Sequence, residues 1–286
     1  METCQGPRPA TGKPRFTCPP LSCDCHSHVL GPQSRFPYVE DRSFTPPDAS
    51  SAAYAEMLDA LGIERMVVVQ PSVYGSDNSR TVAAVAELGL QRARGVAMVP
   101  ADVEAGELRR LDKAGIKAAR FIATARGGPS LDELPGVARA IAEVGWHVEM
   151  YVPPKLWNDL LPIVSDLPVP VVFDHMAGLP ADIDPAGAAP KAILHLLESE
   201  RAWVKLTGYR NSLSGYPYGD VLPLARLFAD AVPDRCVWGS DWPHTNIPDH
   251  MPDDAELLDL LLDWVPDAAT RTRILVENPA RLYRFE

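Results

Sequence analysis

Residues 21–29 read Leu21-Ser22-Cys23-Asp24-Cys25-His26-Ser27-His28-Val29. A short run of strand-like residues ends in two histidines one position apart. A long stretch with several prolines, Val29–Ala49, separates it from the amphipathic segment Ser51–Leu61. This is the pattern of a strand, a loop and a helix. It recurs along the chain. Strands are expected at Leu21–His26, Arg65–Gln70, Arg94–Val99, Lys117–Ile122, His147–Val152, Pro170–His175, Ala202–Thr207 and Arg235–Ser240. Helices are expected at Ser51–Leu61, Asn78–Leu90, Glu104–Ala114, Leu131–Val144, Lys155–Leu167, Ala188–Ser199, Tyr218–Ala231 and Asp254–Trp264, with a last one at Ala268–Leu282. A helix after each strand provides the crossover that parallel pairing needs. Eight such units predict an α/β fold, a single (β/α)8 TIM barrel over residues 21–286, preceded by a short irregular arm over 1–20. An open doubly wound sheet is the alternative, but no G-x-G-x-x-G follows the first strand.

The 286 residues are enough for one such barrel, and 46% hydrophobic residues suit a large core. The 38 acidic and 27 basic side chains leave a formal net charge of −11. That field opposes nucleic acid and anionic membranes, so neither is an expected partner. An anionic substrate must then be held by local arginines. No stretch is long and apolar enough to span a bilayer, and residues 1–20 carry no apolar leader segment, so a cytoplasmic location is expected. Five cysteines, an odd number without a regular framework, argue against a disulfide-stapled fold. Cys23 and Cys25 read as small buried apolar residues rather than as metal thiolates.

The chemistry gathers at strand ends. Side chains alternate along a strand, so His26 and His28 project to one side, into the barrel mouth. His175 closes the sixth strand and Asp241 the eighth. Strands eight and one are neighbours in a barrel, which brings Asp241 within reach of both histidines. Three imidazoles and a carboxylate can hold a divalent metal such as one Zn²⁺, which lowers the pKa of its water. They can equally act without metal, the imidazoles hydrogen-bonding a carbonyl while Asp241 deprotonates water. Spacing leaves both open. The loops Val29–Ala49 and Gly208–Gly219 follow strands one and seven on the same face, where barrels of this kind place their sites.

The segments Asp24–Val29 (DCHSHV), Gln70–Asn78 (QPSVYGSDN), Phe173–Met176 (FDHM), Trp238–His244 (WGSDWPH) and Glu277–Tyr283 (ENPARLY) together resemble the amidohydrolase superfamily. The similar branch holds 2-pyrone-4,6-dicarboxylate lactonase, sugar-acid lactonases, sulfomuconolactone hydrolase and galactarolactone isomerase. The resemblance runs from about Leu21 to the C-terminus. It implies His26, His28 and His175 around a reacting carbonyl and Asp241 as general base. It also implies that Arg120, Arg126, Arg210, Tyr151 and Ser72 contact the substrate. Some members of the branch use one zinc and others none. This chain departs from the pyrone lactonase pattern at Phe44, where that pattern has tyrosine, and at Gly127-Gly128-Pro129.

A guanidinium binds a carboxylate or sulfonate through two parallel bonds, which suits Arg126 and Arg210 on the active face. For Arg120 a salt bridge to a barrel carboxylate such as Glu149 is an equal reading. His147, at the far end of strand five, reads as structural and His195 as a helix-surface residue. His250 lies in the loop after strand eight. His244 could orient Asp241, Trp238 packs behind its strand, and Asn278-Pro279 starts the last helix as cap and first residue. The expected activity is hydrolysis of a lactone bearing acidic groups. A lactone isomerase or a metal-dependent decarboxylase on the same barrel is the alternative, and a homo-oligomer is compatible with either. A non-catalytic binding protein would have no need of buried charged groups at strand ends.

Overall fold

The computed structural model describes residues 4–9, 12–247 and 250–286. Its eight strands are β1 (Cys23–Ser27), β2 (Arg65–Val69), β3 (Ala93–Ala97), β4 (Ile116–Ile122), β5 (His147–Tyr151), β6 (Val171–Phe173), β7 (Ala202–Leu206) and β8 (Cys236–Trp238). All seven ladders are parallel and run in chain order from β1 to β8. Helices α1 (Ser51–Leu61) to α8 (Asp254–Trp264) follow the strands one by one. The expected TIM barrel is the observed fold. Helix α1 shows why its bounds were readable: the Ser50 hydroxyl accepts from Ala53 N, and Gly62 ends the helix at φ 74°.

The chain beyond α8 adds one feature to the expected last helix. The expected last helix is present over Ala268–Tyr283 but carries a π turn over Arg273–Glu277, which divides it into α9 (Ala268–Thr272) and α10 (Asn278–Tyr283). Pro279 lacks an N–H and cannot continue an α ladder from the turn before it. Asn278 is no cap. Its amide donates to Pro233 O and Cys236 O at 2.8 and 2.7 Å, tying α10 to the start of β8. Leu282, Tyr283 and Phe285 then pack into the barrel interior with Cys23, Cys25, Val67, Val96, Val172, Trp203 and Val237, closing the end opposite the mouth.

Strict alternation would place His26 on the face opposite Cys23 and Cys25. All three face inward, because β1 is bulged. Asp24 pairs with Met66 but Ser27 with Val68, so three steps on β1 match two on β2. Asp24, between the two inward cysteines, points outward to α1, and the extra residue then brings His26 and His28 into the mouth.

Closure from β8 to β1 lies just past the strand ends. Asp241 N donates to His26 O at 2.8 Å and His28 N to Trp242 O at 2.7 Å. Beneath these bonds the Asp24 carboxylate accepts from His26 N, Ser240 N, Ser240 Oγ and Tyr54 Oη at 3.1, 2.9, 2.5 and 2.9 Å. Burial pushes its pKa up to about 6 against the pull of these four donors, so it is ionised at neutral pH. The approach of β8 needs Gly239, where an added Cβ would lie 2.7 Å from His26 Cβ and 3.0 Å from His26 N. Gly239→Ala must push β8 off β1. We expect it to destabilise the barrel by about 2 kcal/mol, as overpacked cores do, measured by chemical denaturation. A variant as stable as the parent would show that this contact relaxes freely.

Candidate active site

At the mouth a cavity of about 200 Å³ is lined by His28, Phe44, Ser72, Arg120, Tyr151, His175, Arg210 and Asp241, among others. His26 lies directly beneath, fully buried. Its Nε2 and that of His28 are each 3.6 Å from Asp241 Oδ1. The His175 ring stands 4.7 Å from the His26 ring, and Tyr151 meets it edge-on at the same separation. Histidine at the ends of β1 and β6 and aspartate after β8 therefore converge, as expected.

Two of these residues sit on left-handed backbone: His175 at φ 50° and Asp241 at φ 66°. Neither is glycine, so each position is strained and must be held by its surroundings. The Asn211 side chain holds the first, donating to His175 O and Leu179 O at 2.7 Å each. Asp241 is held through its Oδ2, which accepts from Arg210 Nε and from the Tyr209 hydroxyl. Asp241 Oδ1 has no hydrogen-bond partner in the protein and faces the histidines.

The protonation states follow. Burial lowers His26 well below the ordinary imidazole value, with the Lys205 charge adding to the effect. Burial also brings His28 down to about 3 and His175 down to about 4. Burial raises Asp241, but Arg210 and then the three imidazoles outweigh it and hold the carboxyl well below the usual range. At neutral pH the site is three neutral imidazoles around one carboxylate.

The other expected residues divide. Arg120 lines the cavity, donates to Gln70 O at 2.9 Å and lies 3.6 Å from Asp174 Oδ2. Its carboxylate is thus Asp174 and not Glu149, although Arg120 and Glu149 are register neighbours, because Lys205 takes Glu149 at 2.6 Å. Arg210 spans Asp241 and Thr245 O. Arg126 is largely exposed on the rim, 3.1 Å from Asp41, and does not line the cavity. His244 does not touch the Asp241 carboxylate. Its Nε2 is 3.0 Å from Asp254 Oδ1 and its ring packs against Tyr209, the residue that does hold Asp241. His147 lies deep in the barrel 3.4 Å from Glu149, His195 is exposed on α6, and Trp238 is buried behind the sheet. The His250 ring lies against Tyr216, away from the cavity; its neighbours Pro248 and Asp249 fall outside the described residues.

Sequence reasoning missed Tyr209, Asp174 and Lys205. A lysine inside the run Ala202–Leu206 was the available signal, since a lysine in a buried strand needs partners. Lys205 Nζ lies 2.6 Å from Glu149 Oε2, 3.1 Å from Asp174 Oδ1 and 3.1 Å from His26 Nδ1. Burial works against its charge, but Asp174 and Glu149 outweigh it and push its pKa up. It is an ammonium.

Two groups among the described residues have metal-ligand geometry, His26–His28–Asp241 and His26–Asp174–His175. His28 fits the role. Its Nδ1 is 2.8 Å from Val69 O, so the proton sits there and Nε2 keeps its lone pair. His26 does not. A metal-binding imidazole turns its other nitrogen to an acceptor, whereas the hydrogen-bonded neighbour of His26 Nδ1 is an ammonium. The donor set as it stands presents one N–H where a metal requires a lone pair.

A parallel barrel with this His/Asp mouth is an amidohydrolase-type architecture, and residues 23–285 match the amidohydrolase family model. The chain belongs to that family. It is 37% identical over 289 residues to a 4-sulfomuconolactone hydrolase of Rhizobium radiobacter, covering 98% of this chain and 95% of the other. Identity to a 2-pyrone-4,6-dicarboxylate hydrolase of Comamonas testosteroni is 39%, covering 95% and 92%. A D-galactarolactone isomerase of Agrobacterium fabrum is 32% identical, covering 95% and 93%. Among the described residues no helix is long and apolar enough to cross a membrane.

Because the imidazoles are lowered and Asp241 is depressed, none of these groups titrates between pH 6 and 8. A plot of log kcat/KM against pH is expected to be flat there, with the imidazoles becoming protonated only near pH 4 and below. An inflection near 6.5 would mark a site imidazole that is neither desolvated nor paired as described.

Proposed function

We propose that this chain hydrolyses a lactone carrying one or more acidic groups. The observation that carries this reading is the ionised Asp241, whose Oδ1 has no hydrogen-bond partner and faces His26 and His28 at 3.6 Å, beside an arginine-lined cavity. A water held by Asp241 attacks the ring carbonyl carbon and gives its proton to Oδ1. The imidazole N–H of His26 bonds the carbonyl oxygen as negative charge develops there. When the tetrahedral intermediate collapses, the ring C–O bond breaks and the Asp241 proton passes to the leaving oxygen. The sum is lactone plus water to the open hydroxy or enol acid.

Arg120, Arg210, Ser72 and Tyr151 line the cavity and hold the substrate. Arg126 meets it only after leaving Asp41. Arg210 has a second effect. In the free protein it neutralises Asp241 and makes it a poor base. A substrate anion that competes for the guanidinium restores basicity to Asp241 when substrate is present. The acidic relatives' substrates, a sulfomuconolactone and a pyrone dicarboxylate by name, fit such an exchange. The proton on His26 Nε2 makes this a metal-free reading, with the imidazoles acting directly.

Isomerisation is the second reading, favoured by the galactarolactone isomerase relative and by a carboxylate that can both take and return a proton. Turnover of an acidic lactone in oxygen-18 water separates the two: hydrolysis places one labelled oxygen in the product carboxylate, and isomerisation places none. Asp241→Asn is expected to lower kcat about 10³-fold with little change in KM, as loss of a general base does. A fully active Asp241→Asn variant would exclude this mechanism. Activity that survives chelation, in protein without stoichiometric zinc, is expected; loss of activity on chelation would overturn the metal-free reading.

A further inference from the structure

The reaction uses the upper edge of the barrel interior, yet a second set of charged groups lies just beneath it. Lys205 is fully buried and meets three acceptors, Glu149 Oε2, Asp174 Oδ1 and His26 Nδ1, at 2.6, 3.1 and 3.1 Å. Glu149 is itself held by the Tyr283 hydroxyl at 2.7 Å and lies 3.4 Å from His147 Nε2. The ammonium is therefore held in place: it donates to Glu149 Oε2 and faces His26 Nδ1 within hydrogen-bond distance, while Asp174 Oδ1 lies beside it as an ion-pair partner. An ammonium accepts nothing. The imidazole nitrogen that faces it must be the acceptor, which leaves the ring proton on Nε2. That atom is buried, has no hydrogen-bond partner in the protein and points at Asp241 Oδ1.

We propose that Lys205 is a positioning residue that sets the tautomer of His26, so that His26 enters the site as an Nε2–H donor and not as a lone-pair ligand. The neighbouring histidine is set the other way. His28 Nδ1 faces the carbonyl of Val69, so its Nε2 is an acceptor. The two imidazoles of one H-x-H motif thus carry opposite roles, chosen by an ammonium below one and a carbonyl beside the other. The same lysine decides what the site can bind. Without it, the nearest polar group to His26 Nδ1 is Asp174 Oδ1 at 3.4 Å, a carboxylate that accepts. The ring proton would move to Nδ1, and His26 Nε2, His28 Nε2 and Asp241 Oδ1 would become three converging ligand atoms.

The kinetic consequence rests on the lactonase reading; the tautomer does not. The first measurement is long-range proton–nitrogen correlation on protein labelled with ¹⁵N-histidine, with His26 assigned by the signal lost in His26→Gln. The expected result is a protonated Nε2 and an unprotonated Nδ1 in the parent chain. A proton on Nδ1 overturns the proposal. In Lys205→Met the pattern is expected to invert. With it, kcat falls about 10²-fold at nearly constant KM, the size of one lost donor to a developing oxyanion, and the variant binds about one zinc per chain that the parent does not. Should Glu149, left without its cation, unfold that variant, Lys205→Met with Glu149→Gln removes the uncompensated charge and reads the same inversion. An unchanged His26 pattern in either variant overturns the role of Lys205. The expected tautomers in a chain that turns over no lactone support Lys205 and sink only the lactonase reading.

Discussion

The Asp24 carboxylate joins three elements through four donors: the β1 backbone, Ser240 after β8 and Tyr54 of α1. Closing a parallel barrel requires its last strand to find its first, and here no regular ladder does so. The closure includes this carboxylate and two backbone bonds above it, Asp241 N to His26 O and His28 N to Trp242 O, with the Ser240 hydroxyl also donating to His26 O. Those two bonds involve His26, His28 and Asp241 themselves. The geometry of the candidate site and the seam of the barrel are one structure, so a change that opens the seam also displaces Asp241 from the imidazoles.

Above an apolar base the interior is charged. Lys205, Arg120 and Arg210 oppose Glu149, Asp174 and Asp241, all nearly or fully buried except Arg210, which is partly exposed at the mouth. Three cations balance three anions, which keeps the network tolerable in a low-dielectric interior. The cost remains considerable, and hydrophobic residues would fill the same volume more favourably. The charges instead hold the imidazoles neutral and Asp241 ionised in a space from which bulk water is largely excluded. Two strained residues, His175 and Asp241, belong to the same account, because both are held by neighbours and not by their own backbone preference.

The overall charge of −11 would repel an acidic substrate. The cavity offers Arg120 and Arg210 locally, the second of which is shared with Asp241. In the lactonase proposed above, sharing would link binding to reactivity, because the guanidinium that meets the anion is the one that restrains Asp241. Phe44 lines the same cavity without a hydroxyl. The mouth therefore offers apolar contact at that position, where a tyrosine would offer a hydrogen bond.

Much of this was legible in the chain. Eight strand–helix alternations with their caps determine the barrel, because period and capping are local properties. The strand-end positions of His26, His28, His175 and Asp241 determine that they meet, because every strand of a barrel ends on one face. Tertiary structure alone decided the rest. Alternation misplaced Cys23 and Cys25 relative to the histidines, since a bulge on β1 appears only when that strand is paired with β2. Arg120 took Asp174 in preference to Glu149, its register neighbour, because Lys205, two strands beyond Glu149, claimed that carboxylate. Arg126 turned to Asp41 on the rim. The proton on His26 belongs to the same class. No local pattern announces it, because it depends on a lysine 179 positions away that only the closed barrel brings to within 3.1 Å.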